Sequence, residues 1–343
     1  MKKDVCFCLT LILCLLLPGC SSEDMGNSPD DSLVEIHLSG GIGSEASVST
    51  RGTGMINGTA TWTAKLPVSF ARADKATDYS SGYLGTPLSG NLNEAPTSGI
   101  AHAITFNPSA YYQADGKSSK LIGWYPSTGT FTQNNHIVAF STDILDGSTD
   151  LMVTDLYEGS KSSTISSVTF NHLLTQISVR VYTESSTTAT VWGNLTSITI
   201  IGMKQSCTVT LPAASAAVTG GTEKVTAVFS GIEALPLVKQ DPSDNSTISS
   251  SIELGVGSDN AVLAGYAMFA PQISGTSSEN DIQLAVVTSV GGEHTATVSA
   301  PTGGFKAGYS YVVTLKFGAT GITPSVSITD WVTSPDNPGE VDI

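Results

Sequence analysis

The chain has 343 residues, 40% hydrophobic and 13% charged, with a formal net charge of −15 and three arginines, Arg51, Arg72 and Arg180. So little positive charge leaves no basic patch for a phosphate backbone, which argues against nucleic acid as a partner. The length exceeds one ordinary core, so two domains are expected.

Lys2 and Lys3 precede an apolar run from Val5 to Leu17. It is too short for a membrane span and the right length for a secretory signal core. The run ends in Leu17-Pro18-Gly19-Cys20, which resembles the lipobox of bacterial lipoproteins, with Pro18 departing from the commoner small residue. The resemblance implies a signal peptide over 1–19 and a lipid on Cys20 as the mature N-terminus; an ordinary signal peptide cleaved nearby is the alternative. Removing residues 1–19 takes away Lys2, Lys3 and Asp4, net +1, and leaves −16. Residues 20–31, with Ser21-Ser22-Glu23-Asp24 and Asp30-Asp31, read as a disordered acidic tether. Such acidic residues behind a lipid-bearing Cys resemble a surface-export signal of Gram-negative gut and oral anaerobes. That implies a surface-exposed outer-membrane lipoprotein, anchored without spanning. Four of the five cysteines lie at or before Cys20. The domains therefore fold without disulfides, and Cys207, in a strand-like run, reads as a small core residue.

In Leu33–Leu38, Val34, Ile36 and Leu38 share one face and Glu35 and His37 the other, the period of a half-buried strand. The Gly/Ser/Ala-rich residues 40–52 read as a slack linker in which Arg51-Gly52 is open to a protease. The first domain, 32–165, then alternates strands and turns: Ala60–Phe70, Ala103–Phe106, Ile122–Pro126, Ile137–Phe140 and Leu151–Thr154. Asp143, Asp146 and Asp150 gather three carboxylates, enough oxygens to interest a hard cation, in a spacing that matches no calcium loop; a solvated turn is the plainer reading. Trp124, Tyr111 and Tyr112 read as core aromatics, with a sugar platform as the rival.

The second domain, 166–343, opens on Val168–Val181. His172 stands there without an acid or nucleophile beside it in sequence and reads as a structural histidine bonded to backbone. Strands follow at Leu195–Ile201, Cys207–Leu211, Val225–Phe229, Ala261–Phe269, Ile282–Val287 and Thr295–Val298, with a polar loop at Lys239–Ser251. A tail, 332–343, carries Pro335, Pro338 and Gly339, then Val341 and Ile343.

Several of these stretches resemble the fimbrillins, the type V pilin subunits. They are Asn107-Pro108-Ser109-Ala110-Tyr111-Tyr112 followed by Leu121-Ile122-Gly123-Trp124-Tyr125-Pro126, then Val168–Val181 and Ala267-Met268-Phe269-Ala270-Pro271-Gln272. The closing match is Phe305-Lys306-Ala307-Gly308-Tyr309-Ser310-Tyr311 leading to Val326-Ser327-Ile328-Thr329-Asp330-Trp331. The expected fold is all-β, two tandem antiparallel β-sandwich domains of fimbrillin type. The resemblance implies a lipoprotein precursor cut after Arg51 by an Arg-specific protease. The gap left by Val34, Ile36 and Leu38 is then refilled by a strand of a neighbouring subunit, for which the tail is a candidate. Its partners are other fimbrial subunits, lipoprotein-processing enzymes, that protease and the outer membrane.

The sequence offers no sign of enzymatic chemistry or of a cofactor. Gly41-Ile42-Gly43-Ser44-Glu45-Ala46 opens no helix, so the dinucleotide fingerprint fails, and there is no phosphate loop, nucleophile elbow or paired metal-ligand motif. The alternative to a fimbrial subunit is an uncut surface lipoprotein that binds a glycan or a host protein.

Overall fold

The computed structural model describes residues 33–43, 65–93, 102–141, 145–218, 224–241, 246–273 and 277–329. Cys20, Arg51, Gly52, Asp143 and the tail 332–343 lie outside them. The first half holds β1 (Leu38–Gly43), β2 (Leu66–Asp74), β3 (Leu88–Leu92), β4 (His102–Phe106), β5 (Ser119–Tyr125), β6 (Thr130–Thr132), β7 (Ile137–Phe140), β8 (Met152–Thr154), β9 (Tyr157–Gly159) and β10 (Ser167–His172). The second holds β11 (Thr175–Thr183), α1 (Ser186–Trp192), β12 (Leu195–Met203), β13 (Ser206–Thr210), β14 (Thr226–Ser230), β15 (Glu233–Pro236), β16 (Gly255–Val256), β17 (Val262–Phe269), β18 (Ile282–Thr288), β19 (Gly292–Val298), β20 (Ser310–Phe317) and β21 (Ile322–Thr329). Period-two patterning produces them: in β4 and β18 every second residue is buried. The helix α1 had no counterpart in the sequence reading. Its β-branched run Ser-Thr-Thr-Ala-Thr-Val-Trp favours strand, but Ser185 Oγ accepts from the Thr188 amide and Gly193 ends the turn at φ +71°.

The first sheet follows the order β2-β3-β4-β1-β10-β8-β5, and β5 also pairs β2, so the path closes on itself. Ile36, Leu38, Phe70, Leu92, Ile104, Phe106, Tyr112, Val168 and Phe170 fill its interior. Ser167–His172 belongs to this sheet, beside β1 and β8, and the chain passes to the next one through Leu173 and Leu174. The second half stacks β16-β11-β20-β21, with β17 also on β11, against β15-β12-β18-β19 around Val179, Ile198, Leu284, Tyr311 and Val313. Most neighbours are antiparallel; β1–β10, β11–β16 and β11–β20 run parallel.

A fourth sheet, β14-β13-β7-β6, crosses between the halves, pairing Ile137–Phe140 with Cys207–Thr210. Cys207 is a buried member of this sheet, and burial pushes its thiol up to about 12. At pH 8 almost no thiolate forms, so iodoacetamide should leave Cys207 unmodified in the folded chain and alkylate it in urea; mass spectrometry reads both, and rapid labelling of folded protein would contradict the packing.

Lys120 ties the halves a second time. Its ammonium is buried on β5 and donates to the carbonyls of Ala214 at 2.9 Å and Ala216 at 2.6 Å, 4.2 Å from the centre of the Tyr79 ring. Burial lowers its pKa, and Glu158 at 4.0 Å opposes the shift. Lys120→Met would leave both carbonyls without this donor, an expected loss of about 2–3 kcal/mol in urea denaturation.

Candidate functional site

The segment Leu33–Gly43 enters as an extended stretch and becomes β1 at Leu38. The Ile36 amide donates to the Ala110 carbonyl at 2.8 Å, the Tyr112 amide donates to the Val34 carbonyl at 2.9 Å, and Glu35 bridges Tyr111. From Leu38 on, β1 pairs β4 antiparallel (Leu38↔Ile104) and β10 parallel (Ser39↔Ser167 through Gly43↔Asn171). Gly40–Gly43, read from sequence as the start of a slack linker, is therefore ladder-paired strand. The glycines suit it: a Cβ on Gly40 would stand 2.5 Å from Leu92 Cδ1 and 3.2 Å from Ile104 Cδ1. Neighbours on both sides supply the pairing that low propensity argued against.

Alternation holds along the segment. Ile36 and Leu38 are 2% and 3% exposed and pack in the first core, Val34 is half-buried against it, and Glu35 and His37 turn outward. Burying side chains of this size is worth roughly 1.5–3 kcal/mol each. Without this segment β4 and β10 would each lose a main-chain partner, and the core would open along a strand-shaped line.

One buried pair braces the wall of that line. His172 ends β10, and its Nδ1–H donates to Asp150 Oδ2 at 2.5 Å, with both side chains fully buried. The expected bond to backbone is thus a bond to a carboxylate 22 residues earlier in the chain. Burial raises the Asp150 carboxyl above its ordinary value; the His172 charge and hydrogen bond and the Leu151 amide offset part of that. In turn, burial first and the Asp150 charge second push the Tyr125 phenol up to about 12.

The other candidates disperse. Asp146 accepts from the amides of Ser148 and Thr149 and from the Ser148 hydroxyl, a self-contained turn, while Asp150 points into the core. Among the described residues no three His, Cys, Asp or Glu side chains could share a metal ion. Trp124 is fully buried and stacks on Phe131, and Tyr112 is buried with its hydroxyl accepting from the Ile165 amide. Tyr111 alone of the three is exposed, so they form no joint sugar platform.

The fimbrillin-like family matches residues 53–331. The chain belongs to that family. Fimbrillin-like chains are structural subunits of surface fimbriae rather than enzymes, and their partners are other fimbrial subunits. The matched stretch begins ten residues after β1 ends, so Leu33–Gly43 precedes it. No curated protein matches the sequence. Among solved structures, a candidate cell adhesion protein from Bacteroides uniformis is similar, with TM-score 0.57 and 15% identity over 89% of this chain and 100% of that one. The tip fimbrial protein Mfa3 from Porphyromonas gingivalis aligns with TM-score 0.40 and 12% identity over 87% of this chain and 100% of that one. At such identities the first likeness speaks for the fimbrillin fold only.

Proposed function

We propose that this fimbrillin-like subunit is exported as a lipoprotein on Cys20, cut after Arg51, and polymerised when a strand of a neighbouring subunit takes the place of Leu33–Gly43, contributing to adhesion. The observation that carries this reading is the setting of the segment: it is central, paired on both sides, buried at Ile36 and Leu38, and lies at the N-terminal end of the described chain, ahead of the residues the family shares. A central strand that a single cut could release leaves an unpaired, apolar, strand-shaped gap, the geometry that β-strand complementation fills.

Mass spectrometry of surface-extracted protein tests the cut. A mature N-terminus at Gly52 is expected, together with an SDS-resistant ladder in unboiled samples that disappears in Arg51→Ala. A mature protein that still begins at lipid-bearing Cys20 and runs as a monomer would defeat the proposal and favour an uncut lipoprotein that binds a glycan or a host protein.

A further inference from the structure

Gly40 gives this slot a feature that the strand-exchange reading by itself does not contain. Counting along the buried face, the slot takes Ile36, then Leu38, then Gly40, while His37 and Ser39 face outward. At the Gly40 end the space beyond the backbone is already filled by Leu92, which is fully buried, and Ile104, which is nearly so. Further along the same face it encloses the side chains of Leu38 and Ile36, 3% and 2% exposed.

Polarity follows from the same geometry. The strand in the slot has one antiparallel neighbour, β4, and one parallel neighbour, β10. Turning it end for end only exchanges which neighbour is parallel, so the main chain accepts either direction. Alternate side chains share a face in both directions. What distinguishes the directions is the position of the residue without a side chain.

We infer that Gly40 marks the specificity-determining position of the slot: an occupant must present large apolar residues at alternate positions and glycine at the next alternate position, at the Leu92–Ile104 end. The segment Gly339-Glu340-Val341-Asp342-Ile343 of a second copy meets this in reverse polarity, with Ile343 in the place of Ile36, Val341 in that of Leu38 and Gly339 in that of Gly40. Read in the direction of β1, the same segment would put Ile343 against Leu92. The inference rests on the strand-exchange reading and adds to it a register and a direction.

Full chain cut by an arginine-specific protease, challenged with labelled peptides, tests both parts. The probes are residues 33–43, the same with Gly40→Val, residues 332–343, and the same with Gly339→Val. Native mass spectrometry should show the two glycine peptides displacing the cut strand and each valine version binding at least tenfold more weakly. If residues 33–43 fail to bind, strand exchange itself is wrong. Equal binding of the Gly40→Val peptide overturns the role of Gly40 while leaving exchange intact. Failure of residues 332–343 alone overturns the second-copy occupant. Direction is read by cysteine trapping between full-length copies. Ser39 pairs Ala103, so Ala103→Cys with Glu340→Cys should give a disulfide-linked ladder under mild oxidation, and a ladder from Ala103→Cys with Asp342→Cys instead would overturn the register.

Discussion

Replacing His172 by leucine should cost roughly 3–5 kcal/mol at pH 7, the range for removing one member of a buried ion pair. The carboxylate of Asp150 would be left in a fully enclosed site without its partner. Burial already raises this carboxyl above its ordinary value, and without the imidazole charge and hydrogen bond of His172 only the Leu151 amide offsets that cost. His172→Leu combined with Asp150→Leu should recover most of the loss, since an apolar pair asks for no desolvation. Urea denaturation of the two variants decides it: a loss below about 1 kcal/mol in the single variant would mean the pair is not holding β10 on β8.

The same pair predicts a dependence on acidity. Folded Asp150 has a raised pKa, so as pH climbs past 3.8 the unfolded chain ionises first and is favoured. The stability this carboxyl contributes is complete below that value and is lost as pH rises through the raised folded value. Asp150→Asn does not titrate, so the difference, wild type minus variant, should fall across that window. A flat difference would contradict the raised pKa.

The second large effect is expected from Ile36→Ala with Leu38→Ala. Each truncation of a buried side chain of this size costs about 2–5 kcal/mol, so together they approach the ~5–15 kcal/mol by which a whole domain is stable. Hydrogen exchange should speed up first in β4 and β10, the two strands that pair β1. Glu35→Ala and His37→Ala, on the outward face, should stay within about 0.5 kcal/mol of wild type. A double alanine variant losing less than about 2 kcal/mol would show that this segment is not what closes the first core.

What could be read from the residues was the alternation. Val34, Ile36 and Leu38 and the strand at Ile137–Phe140 announce their buried faces by period two, and the structure has them; the strand from Thr175 alternates in sequence, but its first five residues are all buried. Gly40–Gly43 departs from the expected linker because glycine's weak propensity is a local property, whereas its place in the ladder is set by β4 and β10, one of which begins 124 residues later. Asp150 and His172 stood apart in sequence and meet only because β8 and β10 pair. A signal did exist: an Asp directly before a run of buried strand residues and a His at the end of another are costly to enclose separately. Lys120 gave no such sign, since its carbonyl partners lie about 95 positions away in the other half.

The closed path of the first sheet bears on when association can happen. A sheet whose pairing returns to its starting strand offers little rim to a stray chain, and among the described residues only the three-residue β9 hangs from it. While Leu33–Gly43 stays in place it occupies the edges that β4 and β10 would otherwise offer, so strand pairing with another copy at that slot has to wait for its release. Stickiness would then arrive as a scheduled event rather than as a standing property of the surface.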